Sequence, residues 1–99
     1  MARQVTKESI SLFLNHVNCG VSNTTVADDR LLLFGNCIAK FEGDDLFIRI
    51  HTLSKTTMER LNGFNLFGYN CHVKQVKGDA FVNGQRVNDY MEWIKIDKV

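Results

Sequence analysis

Apolar residues at Ile10, Phe13, Leu14 and Val17 keep the i, i+3, i+4, i+7 spacing of one helical face and predict a helix over residues 7–17. Thr6 stands where an N-cap hydroxyl would accept a first-turn N–H. Glu8 would sit near the positive end of the helix dipole and His16 near the negative end. A polar exit around Gly20 follows.

From Thr24 the period changes to two. Thr24–Ala27 reads as a short strand and Asp28-Asp29-Arg30 as a turn. Residues 31–41 read as one strand covered on both sides, with a bulge at Gly35. Glu42-Gly43-Asp44-Asp45 reads as a hairpin connection, after which Leu46, Ile48 and Ile50 alternate with Phe47, Arg49 and His51. Thr56 and Glu59 match a capping box, and Gly63 a left-handed stop. Together they bound a second short helix near residues 57–62, with Met58 and Leu61 facing the core. Residues 71–77, 80–83 and 93–96 complete the strands, with tight turns at Gly78-Asp79 and Asn83-Gly84. The pattern predicts an α+β fold, a small antiparallel sheet of about five strands with two short helices, as a single domain over residues 1–99.

Composition narrows the function mainly by exclusion. Ninety-nine residues suit one domain, and 12 Lys and Arg against 11 Asp and Glu leave a formal charge of +1. Bulk charge therefore neither attracts nucleic acid nor mimics it. No apolar run approaches the ~20 residues of a membrane span, and the polar amino terminus lacks the apolar stretch of a signal peptide. A cytoplasmic setting is expected. Cys19, Cys37 and Cys71 form no C-x-x-C pair and read as buried reduced thiols.

The candidate chemistry is sparse. Asp28-Asp29 and Asp44-Asp45 are neighbours whose side chains diverge on a strand, so turn chemistry explains them better than a metal site. His16, His51 and His72 are scattered, and Cys71 and His72 would point to opposite faces. No nucleophile elbow, zincin helix, Walker loop or dinucleotide fingerprint is present, so no enzyme activity, cofactor or metal is expected. Asn23-Thr24-Thr25 is formally a glycosylation acceptor and carries no weight without an export signal.

Two binding surfaces can be named. Lys74, Lys77, Arg86, Lys95 and Lys98, with Phe67, Tyr69 and Trp93 as stacking rings, would serve single-stranded nucleic acid. The opposing reading places Trp93 and Phe81 in the core and leaves the lysines as solubilising charges. In the segment from Phe64 to Tyr69, Asn65 and Gly68 break any period, so Leu66, Phe67 and Tyr69 cannot easily share one core face. They form either a loop tucked onto the sheet or an exposed protein-docking patch.

Several blocks from Asn23 onward carry a family likeness: Asn23-Thr24-Thr25-Val26, the stretch from Leu33 to Lys40, the stretch from Ser54 to Asn62, and Asn83-Gly84 with the late Trp93. In these the chain resembles a family of short tailed-bacteriophage proteins, most specifically through Thr-Thr-x-x-Arg-Leu-Asn at Thr56 to Asn62. An aromatic pair precedes the late Asn-Gly in that family, where this chain has Ala80-Phe81-Val82. The likeness covers about three quarters of the chain and leaves out the first helix. It implies a phage origin and a compact α+β fold, and it transfers no activity. Its Thr pair reads as a helix cap, and Arg60 as an anchor for neighbouring carbonyls. The leading expectation is a non-enzymatic phage accessory protein. It would act in the host cytoplasm by binding, and inhibiting, a host protein such as a defence component. A single-strand nucleic-acid-binding module is the alternative, and self-association is a further option.

Overall fold

The computed structural model describes residues 4–21 and 23–99. Helix α1 spans Gln4–Leu14. Thr6 therefore lies inside it rather than capping it, and Glu8 falls beyond the first turn. The helix also stops before Val17. The Val17 N–H bonds the Leu12 carbonyl at 2.9 Å and the His16 N–H bonds the Phe13 carbonyl at 3.1 Å. This is a Schellman stop with His16 in the left-handed position (φ 59°) that glycine usually fills. Val17 is consequently exposed, while Ile10 and Phe13 are fully buried.

Nine strands follow among the described residues: β1 Cys19–Val21, β2 Thr24–Ala27, β3 Arg30–Leu33, β4 Asn36–Glu42, β5 Asp45–Ile48, β6 Val73–Val76, β7 Asp79–Val82, β8 Gln85–Arg86 and β9 Ile94–Ile96. The α+β class stands. The strands, however, divide between a six-stranded antiparallel sheet (β1-β2-β3-β4-β5-β9) and a three-stranded one (β6-β7-β8), instead of forming one sheet of about five. Turn chemistry explains the tight meander. Both central residues have positive φ at Asp28-Asp29, Phe34-Gly35, Lys77-Gly78 and Asn83-Gly84, the requirement of the two-residue turns that match strand twist. Gly35 is thus a turn residue and not a bulge. The irregularity lies further on, where the register passes from Leu31↔Ala39 to Leu32↔Cys37 and leaves Ile38 unpaired.

Helix α2 spans Lys55–Asn62 and is capped by Ser54, whose hydroxyl accepts the Thr57 N–H at 3.1 Å. Thr56 is not the cap, and Glu59 does not close a capping box; it pairs with Arg60 instead. Gly63 is right-handed (φ −58°) and carries the chain into a 3-10 helix, Gly63–Phe67. The left-handed stop comes at Gly68 (φ 87°). Both helices lie on the same face of the large sheet. Phe13 stacks on Phe41 at 4.9 Å, and Arg60 reaches the buried Thr24. A continuous line of rings (Phe41, Phe13, Phe64, Tyr69) runs between the sheet, α1 and the 3-10 helix. Val73, Ala80 and Val82 bring the small sheet into the same core. Among the described residues, no helix is long and apolar enough to cross a membrane.

Candidate functional site

The groups with reactive potential are dispersed. Cys71 is fully buried, and burial pushes its thiol up to about 12, where it is no nucleophile at neutral pH. Burial also raises Cys37, an effect that nearby Arg49 opposes. His16 Nδ1 meets Asp29 Oδ1 at 2.6 Å on the surface, and His51 Nδ1 meets the Thr52 hydroxyl at 3.2 Å. No group of three His, Cys, Asp or Glu side chains gathers in metal-binding range among the described residues.

A conformationally costly feature with little support from the core is at the β3–β4 turn. Phe34 holds φ 52° and is 68% exposed. A bulky residue in the left-handed region is strained by roughly 1–2 kcal/mol, and a largely exposed ring recovers little of that by burial. Such a conformation persists only where its surroundings fix it. Here the Phe34 N–H bonds the Asn23 carbonyl at 2.9 Å. Asn23 is held in turn by Arg60, which is buried and, among the described residues, donates to three oxygens. Its Nε donates to Thr24 Oγ1 at 3.0 Å, Nη2 to Asn23 Oδ1 at 3.3 Å and Nη1 to Glu59 Oε1 at 2.9 Å. Arg60 is therefore an anchor, and among the described residues it holds side-chain oxygens of Asn23 and Thr24 at the β2 start and of Glu59. Beside Phe34 lies a cleft of about 270 Å³, walled by Leu33, Ile38, His51, Thr52 and Ser54 and lined by no permanently charged side chain. The sequence carried one signal of this site. A phenylalanine occupies the turn dipeptide Phe34-Gly35, where asparagine or aspartate is the usual choice.

The aromatic segment after α2 divides. Tyr69 is buried, 7% exposed, edge-on to Phe64, so it leaves the proposed docking patch. Leu66 (55%) and Phe67 (39%) are exposed, and Phe67 borders a shallow hollow with Ser11, Leu14, Asn15, Tyr69 and Lys98.

The basic residues divide as well. Lys74, Phe81 and Arg86 stand opposite one another across β6-β7-β8, and Arg86 pairs with Asp79 at 3.4 Å. Lys77 is at the β6–β7 turn. Lys95 belongs to the other sheet, opposite Phe47 and 3.7 Å from Asp45. Trp93 is neither core nor free: Lys40 Nζ and the Arg49 guanidinium lie 4.5 and 4.4 Å from its ring centroid. Lys40, Phe47, Arg49 and Arg30 were not legible as one group, because only the strand register brings them onto one face.

The family profile described as Kyanoviridae Gp96 protein matches residues 2–98, a span that includes the first helix. No curated protein matches the chain, and no solved structure does.

Proposed function

We propose that this chain, which belongs to the Kyanoviridae Gp96 protein family of tailed phages, is a non-catalytic accessory protein that binds a host protein with Phe34 as its anchor. The exposed, left-handed Phe34 carries the reading. A turn selected only for folding would place Asn or Gly there. A phenyl ring kept at a cost to stability, beside an uncharged cleft, has the make-up of an interface hot spot. Its counterpart would be an apolar pocket on the host protein, with hydrogen-bonding groups facing Asn36, Thr52 and Ser54 around the ring. Seated on a working surface, a chain of this size would inhibit the protein beneath it, a defence component included. Leu66 and Phe67 would serve as a second, peripheral contact.

Phe34→Asn separates function from folding. Asparagine suits the turn, so the variant should unfold at equal or higher denaturant, by about 1 kcal/mol, while losing capture of its partner from host lysate. A variant that folds at least as well and captures the same host protein undiminished would overturn the assignment.

A further inference from the structure

We infer that the outward face of the six-stranded sheet binds single-stranded nucleic acid, at a site separate from Phe34. The strand register lines up Arg30, Lys40, Phe47 and Lys95 in one row across β3, β4, β5 and β9. Arg49 and Trp93 adjoin that row, with Lys40 set between the two rings at 4.5 Å from Trp93 and 5.9 Å from Phe47. Both helices pack against the opposite face, through Phe13 on Phe41 and Arg60 on Thr24. The outward residues are accordingly half-buried or exposed, while the alternating Leu31, Leu46, Ile48 and Ile96 are sealed in the core.

Charge and shape select the ligand. Four cations line the face; Lys40 is matched by Glu42 and Lys95 by Asp45, with Asp97 in the same hollow, so the local excess lies at the Arg30 and Arg49 end and is hidden by the chain's overall +1. Rings interleaved with cations are what a single strand requires, since each base offers a π-face and each linkage a phosphate. A duplex does not fit. Six strands about 4.8 Å apart span roughly 24 Å, twice the ~12 Å major groove, and paired bases leave no free face to stack. An acidic peptide would satisfy the cations and leave the rings unused.

Trp93 is the sole tryptophan, so its fluorescence reports on this site directly. Titration of the intact protein with oligothymidylate at low salt should quench it saturably. Binding should fall with salt at a slope of about −2 to −3 in log–log form, the release expected from three to four neutralised phosphates. Phe47→Leu, which keeps the apolar bulk, should weaken binding roughly 5- to 150-fold, the range for loss of one stacked base. Lys95→Glu, at an exposed position, should weaken it and flatten the salt slope, and Phe34→Asn should leave the titration unchanged. The inference fails if oligothymidylate neither quenches Trp93 nor shows anisotropy at tens of micromolar. It fails equally if polyglutamate quenches as well as the oligonucleotide does, or if binding is indifferent to both Phe47→Leu and Lys95→Glu.

Discussion

The side-chain amide of Asn62 pairs with both backbone groups of Val73, accepting its N–H at 2.7 Å and donating to its carbonyl at 2.8 Å. A side chain here occupies the place of a neighbouring strand. It covers the first position of the open edge of the three-stranded sheet, where β6 would otherwise offer unpaired groups to another chain. Asn65 does the same for Cys71, and Asn83 accepts the His72 N–H while donating to the Asn70 carbonyl. Three asparagines thus satisfy the irregular backbone between the 3-10 helix and β6.

Asn62→Ala should therefore destabilise the protein by about 1–3 kcal/mol, the cost of leaving buried backbone groups without partners. Asn62→Asp, which keeps the acceptor and loses the donor, should fall between. Urea unfolding measures both, and light scattering at rising concentration should show the alanine variant associating through the opened edge.

Ser54→Ala should lower stability by about 0.5–2 kcal/mol, because the Ser54 hydroxyl caps α2. Thr56→Ala should stay within about 0.5 kcal/mol of the parent, since its hydroxyl holds no capping bond. Denaturation midpoints of the two variants, compared side by side, decide between Ser54 and the Thr56 capping box that the sequence suggests.

That exchange shows where the sequence was readable. The two-residue period gave the β4–β5 hairpin and its turn at Gly43-Asp44, and Ile10 and Phe13 marked the buried face of α1. Termini were harder, because Ser54 and Thr56 are both competent caps and only the geometry of the first turn chooses. The stop at Gly63 moved to Gly68 because Phe64 finds a cavity between Phe13 and Tyr69, and packing there outweighs the tendency of glycine to end a helix. The sheet face around Trp93 was invisible for another reason. Lys40, Arg49 and Trp93 are up to 53 residues apart in number, and register is a tertiary property.

Arg60 ties α2 to the start of β2 and, through Asn23, to the Phe34 turn. A lysine ammonium cannot serve Thr24, Asn23 and Glu59 in the same three directions. Arg60→Lys should cost about 1–3 kcal/mol. It should also loosen the β3–β4 turn selectively, seen as faster amide exchange at Phe34 than at β4–β5 positions. Uniform loss of protection would mean that Arg60 acts only on global stability.

The buried thiol of Cys71 gives the fold an alkaline weakness. Burial raises its folded value from the ordinary 9.0 to about 12. Between these values the unfolded chain has released the thiol proton and the folded chain still holds it. Fewer protons bound by the unfolded state make stability fall as pH rises. The contribution is complete below pH 9 and is lost toward pH 12, at a slope of up to about 1.4 kcal/mol per pH unit. Cys71→Ala removes the titrating group, so its stability should be lower at pH 7.5, through lost packing and the lost bond to the Leu61 carbonyl, but should decline less steeply from pH 9 to 10.5. Denaturant titrations of both proteins across that range supply the two slopes, and equal slopes would mean that Cys71 titrates alike in the folded and unfolded chain.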